Sequence, residues 1–186
     1  MNYPWYERVG IPTTDLLQGD LIQNCPIIVP PKTLSADGEY EFDVVEYDVV
    51  IVSQSCDLEN SKVENVLVCP HTTFQQFLQN SLVANEKLSK GKVRSTFDDF
   101  RKGNQPNYHL LDRDENLGLT DYLVVDFRNV FAVHIEFLKS HVETVENRIR
   151  LLPPYREHLS QAFARFFMRV GLPQNQGFLI KMARGV

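Results

Sequence analysis

Short apolar runs separated by polar stretches dominate the first half of the chain, and their lengths predict β-strands. The continuous apolar run at 49–52 is typical of a strand buried on both faces. Residues 53–61 are polar and a second apolar run follows at 63–69, so the sequence predicts a β-hairpin with a polar tip. Pro70 is expected to end the second strand, because proline has no N–H to give to a ladder.

The same reasoning predicts the other elements of a mainly β fold that also contains helices. Further strands are expected at 16–29, 108–111, 122–127 and 130–135. Thr73 and Gln76 have the spacing of a capping box, which predicts a helix over 73–84.

A closing helix is predicted from Leu152-Pro153-Pro154, because proline is tolerated in the first turn of a helix. Apolar residues recur at helical spacing from Tyr155 to Val170, and Gly171 ends the helix. By contrast, residues 85–107 are polar, basic and weakly periodic and are expected to form a mobile or inserted segment. Residues 137–146 are expected to be a short polar connection, at most a single helical turn.

The net charge of −5 over 186 residues is distributed in blocks. Residues 1–85 carry a net −9 and residues 114–147 a net −5, whereas residues 86–113 carry +3 and residues 148–186 carry +6. A polyanionic partner would therefore bind the middle segment or the C-terminal region. The alternative is that folding interleaves these blocks, so that the arginines after residue 147 pair with acids of the N-terminal half.

The remaining composition is that of a globular protein in a reducing compartment. Three cysteines give an odd count without a disulfide framework, and no apolar run approaches the ~20 residues of a membrane span. The N-terminus lacks the apolar block of a signal peptide, so a cytoplasmic location without membrane association is expected.

The order of elements resembles the MazF/PemK family of bacterial toxins. The residues that carry this resemblance are Gly19-Asp20-Leu21, Val49 to Ser53, Val66 to Thr72, Val124 to Val130 and Leu159 to Val170. The resemblance implies an SH3-like antiparallel barrel with a C-terminal helix and an inserted segment. On this interpretation residues 1–186 form one domain, with an N-terminal arm at 1–15, an insertion at 77–121 and a closing helix at 152–171.

Family members are typically homodimeric endonucleases of single-stranded RNA, which use an arginine just before the second strand and a Thr or Ser at the end of the third. Thr72 matches the second of these positions, but Glu46-Tyr47-Asp48 occupies the place of the arginine. Acidic side chains repel a phosphate, so we expect the usual RNA cleavage to be lost. Arg101 or Lys102 could supply a basic group instead.

The resemblance therefore predicts a divergent toxin-fold protein of a bacterial defence or toxin–antitoxin setting. It would bind nucleic acid, such as single-stranded RNA, or a protein partner, and it would form a homo-oligomer. One alternative is an active single-strand RNA endonuclease whose basic residue has moved to Arg101 or Lys102. A second alternative is a cysteine-dependent hydrolase centred on Cys56.

The polar tip and the end of the second strand supply the other candidate residues. Cys56, Asp57 and His71 could act as nucleophile, orienting carboxylate and base, and Gln54 and Thr72 would complete a ligand- or partner-facing corner. The structural alternative makes these short polar residues turn-formers and Cys56 a packing residue. No cofactor motif occurs, and the cysteines lack the Cys-x-x-Cys spacing of zinc ligands, so neither cofactor nor metal is predicted.

Overall fold

The computed structural model describes residues 3–10, 13–33, 38, 41–81, 89–145 and 148–168. Its strands are β1 (Tyr6–Arg8), β2 (Asp20–Val29), β3 (Asp43–Ile51), β4 (Asn65–Thr73), β5 (Tyr108–Leu111), β6 (Leu123–Asp126), β7 (Phe131–His134) and β8 (Ile149–Leu151). Its helices are α1 (Ser55–Glu59), α2 (Phe74–Ser81), α3 (Lys90–Arg101), α4 (Ile135–Glu143) and α5 (Tyr155–Phe167). The fold is therefore mainly β with helices, as the sequence predicts.

All strand pairs are antiparallel, and the eight strands form one sheet in the order β1-β8-β2-β3-β4-β6-β5, with β7 also paired to β4. The predicted hairpin is confirmed, because Val50 lies opposite Cys69 in the β3–β4 pair. Within the residues that the structure describes, the sheet does not close on itself.

Pro70 does not end β4, so that prediction is wrong. The strand continues to Thr73, and Pro70 still lies opposite Val49 of β3. On its other edge β4 pairs with β7 through residues 65–68 and with β6 through residues 71–73. Pro70 lies where one neighbour replaces the other, so its missing N–H does not interrupt either of these ladders.

Two of the four long helices were predicted from the sequence. The capping box is present, since the Thr73 N–H donates to Gln76 Oε1 at 3.1 Å and the Gln76 N–H donates to Thr73 Oγ1 at 3.1 Å. Helix α2 follows directly, and residues 82–84 of its predicted range lie outside the described residues. Helix α5 is likewise present, although Val170, Gly171 and Arg169 lie outside the described part.

The other two helices were missed. The segment expected to be mobile contains α3, whose first turn is capped by Ser89, the acceptor of a hydrogen bond from the Lys92 N–H at 3.2 Å. The supposed polar connection is α4, which buries Ile135, Leu138 and Val142. Polar and charged residues form more than half of each helix, so the apolar positions are too few to give a strong period.

The interior consists of three apolar clusters, and β3 contributes to two of them. Val49 and Ile51 face the cluster covered by α4, whereas Val50 and Val52 face the cluster covered by α5. The predicted burial of the 49–52 run on both faces is thus confirmed. The third cluster lies where α2 and α3 pack on β5 and β6, and it contains Phe74, Phe100 and Val124.

A buried ion cluster joins β2 to β8. Asp20 is fully buried and accepts hydrogen bonds from Arg150 Nε at 2.5 Å and Arg150 Nη2 at 3.0 Å. Arg148 Nη1 lies 3.6 Å from the same carboxylate, and Arg148 Nη2 donates to the Thr13 carbonyl at 3.0 Å. Burial lowers the pKa of Arg148, and the Asp20 carboxylate acts in the opposite direction. No helix in the described part of the chain has the length and hydropathy needed to cross a membrane.

Candidate nucleic-acid interface

The predicted polar tip is helix α1 and the residues just before it. Gln54 and Cys56 are exposed and Asp57 is half-buried, and Cys56 Sγ lies 3.8 Å from both Gln54 Oε1 and Asp57 Oδ1. The neighbouring serines bond backbone groups: Ser53 Oγ accepts from the Leu67 N–H at 2.8 Å, and Ser55 Oγ accepts from the Gln18 N–H at 3.1 Å. The serines therefore shape the turn, as the structural interpretation of the tip expects.

His71 and Thr72 lie far from this tip. Leu67 is the residue of β4 nearest to Ser53, and His71 follows four residues later, about 13 Å along the strand. Thr72 is exposed and lies on the opposite face of β4 from the buried His71. The structure thus groups Gln54, Cys56 and Asp57 but does not bring them to His71 and Thr72, so the composite corner and the Cys56 hydrolase stay predictions.

The surroundings of His71 are those of an interior residue. Its side chain is 9% exposed, and Nε2 has no hydrogen-bond partner among the described residues. Burial lowers the pKa of His71 to about 4, and the carboxylate of Asp48 acts in the opposite direction. At neutral pH the ring is uncharged, so His71 carries no positive charge toward a ligand.

The three cysteines also divide into interior and surface residues, because Cys56 is exposed and the other two are not. Cys25 and Cys69 are buried, and burial raises the pKa of the first to about 11 and of the second to about 12, with Asp126 adding to the second. Both therefore stay protonated at neutral pH and behave as small apolar groups. Among the described residues no group of three or more His, Cys, Asp or Glu side chains is placed to hold a metal ion.

The first half of β3, where the resemblance would place an arginine, carries acidic side chains. Glu46 and Asp48 are exposed on β3, and Asp48 Oδ1 accepts a hydrogen bond from the Asn24 N–H at 3.0 Å. Between them Tyr47 packs against Phe131, with ring centroids 5.3 Å apart. This part of β3 thus presents two carboxylates and an aromatic packing contact.

A basic cleft lies between the end of α3 and helix α5. Its volume is about 340 Å³, at the lower end of the range of small-molecule sites in proteins. The cleft is lined by Phe100, Arg101, Lys102, Gly103, Gln105, Pro106, Tyr108, His109, His158, Gln161, Ala162 and Arg165. It contains both basic residues that the sequence singled out, and it adds a third cation and two imidazoles.

The positions on α5 explain why its side chains share this cleft. His158, Gln161, Ala162 and Arg165 follow one another at spacings of three, one and three residues, which places them on one face of a helix. The facing wall is the C-terminal end of α3 and the loop that leads into β5. The cleft therefore joins the two basic blocks of the sequence, 86–113 and 148–186, which are 34 residues apart along the chain.

The charge of the cleft is uncompensated by its lining, which contains no acidic residue. Arg101 makes one long, exposed ion pair, 3.8 Å from Asp98, and such pairs contribute little. Lys102 and Arg165 are exposed and make no ion pair with any described residue. Three cations are thus available to bind an anionic ligand. Phosphate groups of such a ligand would replace water molecules around these cations.

Rings form much of the remaining surface. His109 is half-buried and stacks near Phe127, with centroids 6.2 Å apart. Burial lowers the pKa of His109 to about 4, and the nearby His158 acts in the same direction. Burial also raises the pKa of Tyr108, whose ring lies 4.8 Å from the Arg128 guanidinium carbon. At neutral pH His109 is an uncharged ring that can stack on a base.

The sequence identified only part of this cleft. The sequence indicates Arg101 and Lys102 as partner-binding residues, whereas His109 falls in a predicted strand and Arg165 in the predicted closing helix. The basic charge of both segments is the sequence signal that could have connected these residues. Whether the segments touch, however, depends on how the chain runs through the sheet. Of the other arginines considered with Arg165, Arg148 and Arg150 pair with Asp20 in the interior.

The sequence matches no protein-family model, and no curated protein is significantly similar to it. The interpretation of the cleft therefore depends on its own geometry and charge.

Proposed function

We propose that this protein binds single-stranded RNA in the basic cleft between α3 and α5. The observation that carries this proposal is the convergence of Arg101, Lys102 and Arg165 on a cleft whose lining has no acidic residue. Cations contact phosphates without regard to sequence, and the exposed parts of the His109 and Tyr108 rings offer stacking surfaces for unpaired bases.

The toxin-family resemblance supports the same proposal. On this interpretation the open sheet with its closing helix is a divergent form of the SH3-like, MazF-type fold, in a homo-oligomeric protein of a bacterial defence or toxin–antitoxin setting. RNA would bind at the cleft rather than beside β3, because Glu46 and Asp48 make that part of the surface acidic. The family's usual cleavage chemistry would be absent for the same reason.

The test is fluorescence anisotropy of a labelled single-stranded RNA 12-mer over a series of salt concentrations. The triple variant Arg101→Gln, Lys102→Gln, Arg165→Gln should bind at least about tenfold more weakly, with a shallower salt dependence, because each lost phosphate contact reduces the slope by about 0.7. The matched control is Arg113→Gln, an exposed arginine paired with Glu115 outside the cleft, which should bind within about twofold of wild type. Equal losses in the control and the triple variant would contradict the proposal.

A second candidate function is RNA cleavage with relocated basic residues. The observation that favours it is that His109 and His158 line the same cleft as the three cations, so that two imidazole rings could flank a phosphate held there. Incubation of the labelled RNA with and without a metal chelator separates the two candidates. We expect intact RNA; cleavage that disappears in His158→Asn would favour the second candidate.

A further inference from the structure

A second groove lies on the same helix as the basic cleft. It has a volume of about 520 Å³ and is lined by Phe74, Lys90, Val93, Arg94, Phe97, Asp121 and Tyr122. Three of these side chains are aromatic and two are cationic. The three rings belong to the third apolar cluster, and the two cations lie at its exposed edge.

The two cations of the groove are available to a ligand. Lys90 and Arg94 are exposed, and neither makes an ion pair with a described residue. The single acid in the lining, Asp121, is occupied by backbone groups: its Oδ2 accepts from the Gln75 N–H at 2.9 Å and its Oδ1 from the Tyr122 N–H at 2.8 Å. The groove therefore presents net positive charge beside aromatic rings.

Helix α3 connects this groove to the basic cleft. Lys90, Arg94, Phe97 and Arg101 follow at spacings of four, three and four residues, which places them in one stripe along the helix. Lys90 and Arg94 line the groove and Arg101 lines the cleft. The stripe spans twelve residues, and its ends are eleven steps or about 16 Å apart at the rise of an α-helix.

The rings of the groove can receive a base. Phe97 and Tyr122 are half-buried and meet edge to face, with centroids 4.8 Å apart. Each ring is held in place by this contact, yet neither is fully covered. An unpaired base can stack on such a fixed and partly exposed ring.

We propose that a bound RNA strand continues from the basic cleft along α3 into this groove, with phosphates on Lys90 and Arg94 and a base on Phe97 or Tyr122. The inference rests on the proposed function, because it extends the same binding surface. Even at the compact rise of about 3.4 Å per nucleotide found in a duplex strand, about five steps cover the stripe. A dinucleotide can thus occupy only one of the two places, whereas an octanucleotide reaches both.

The experiment is a length series of single-stranded RNA with two, four, six, eight and ten nucleotides, measured by isothermal titration calorimetry. Wild type should gain at least about tenfold in affinity between the dinucleotide and the octanucleotide, since the added phosphate contacts and stacking come with length. The double variant Lys90→Gln, Arg94→Gln should lose most of this gain while binding the dinucleotide like wild type. The control Lys62→Gln, Arg113→Gln removes the same charge outside both places and should keep the gain.

An octanucleotide with abasic sugars tests the stacking without a change in the protein. Two such strands are used, one abasic at its three 5′ nucleotides and one at its three 3′ nucleotides. At least one of them should bind several-fold more weakly than the intact strand. Equal binding of all three strands would overturn the assignment of a base to Phe97 or Tyr122.

The outcomes separate this inference from the proposed function. If binding requires Arg101, Lys102 and Arg165 but affinity does not rise with length, the cleft stands and the path along α3 is overturned. If affinity rises with length equally in the Lys90/Arg94 variant, the path is again overturned. Binding of a poly-glutamate peptide as tight as that of the octanucleotide would overturn the RNA assignment, because this peptide carries charge without bases.

Discussion

Arg148, just before β8, and the cations of the cleft come from similar basic stretches of sequence but have opposite surroundings. Arg148 is 3% exposed, and its guanidinium lies against Asp20 and the Thr13 carbonyl. Arg165, less than twenty residues later, is exposed in a cleft lined by other cations. The first is part of the interior, whereas the second is available to a partner.

This difference follows from the cost of burying charge. A guanidinium that leaves water must be paired and hydrogen-bonded, and Asp20 supplies that pairing for two arginines at once. An exposed cation keeps its hydration and needs no partner in the fold. The net charge of a segment therefore cannot distinguish structural arginines from arginines that bind a ligand.

The largest effect is expected from removing the shared carboxylate. Asp20→Asn leaves the buried Arg148 and the half-buried Arg150 without the carboxylate that pairs with both, and breaking a buried pair in this way costs about 3–5 kcal/mol. Urea unfolding measures the loss. The control Glu115→Gln, which breaks an exposed pair with Arg113, should change the stability by less than about 1 kcal/mol. If Asp20→Asn lowered the free energy of unfolding by less than about 1 kcal/mol as well, the buried ion cluster would not be needed for folding.

His71 extends the comparison to a group that stays buried only while neutral. Its pKa is lowered to about 4 by burial, against about 6.5 in the unfolded chain. Between these values the unfolded state binds the proton and the folded state does not, so stability falls as the pH is lowered. We expect wild type to lose about 2–3 kcal/mol more than His71→Val between pH 7.5 and 4.5.

Denaturant unfolding at both pH values measures this difference. The variant also serves as the control. The carboxylates and His109 titrate in both proteins, so their contributions cancel in the difference. Parallel pH dependence in the two proteins would mean that His71 accepts a proton in the folded state at little cost.

The cleft cations should have almost no effect on stability. Lys102→Gln and Arg165→Gln remove exposed charges that make no ion pair with a described residue, so each should change the free energy of unfolding by no more than about 0.5 kcal/mol. The same urea experiment measures it. A large loss for either variant would place that cation with Arg148 among the structural charges.

Asp57→Asn at the polar tip is expected to have the smallest effect. The side chain of Asp57 has only a long contact of 3.8 Å from Cys56 Sγ among the described residues, so the melting temperature should shift by less than about 2 °C. Differential scanning calorimetry measures the shift. A drop of several degrees would support the structural interpretation of the tip, in which Asp57 forms the turn.

Six of the eight described strands, β2 to β7, and the two helices with clear signals could be predicted from the sequence. The run at 49–52 identified the central strand because it is apolar on both faces, and Thr73 with Gln76 identified the start of α2. Strands β1 and β8 have three residues each, too few to show a period. Helix α3 was missed because its apolar residues, Val93, Phe97 and Phe100, are diluted by charged neighbours.

The candidate site was predictable only in part. The basic character of the segment around Arg101 and Lys102 was visible in the sequence, because charge is a local property. The contact of this segment with His109, His158 and Arg165 was not visible in the sequence, because it depends on β5 and α5 meeting at the same face of the sheet. Conversely, the residue types of Cys56 and His71 suggested a common site, but the tip lies beside Leu67 and His71 is four residues further along β4, a separation that residue types do not reveal.

The single tryptophan of the chain stands at a position where it can report on the binding surface. Trp5 lies face to face with Tyr155 at the start of α5, with ring centroids 3.7 Å apart and planes 8° apart. Since α5 also forms one wall of the cleft, any displacement of this helix alters the stacked pair. Intrinsic fluorescence excited at the tryptophan should therefore follow both the detachment of the helix during unfolding and its adjustment to a bound strand, without a label on either molecule.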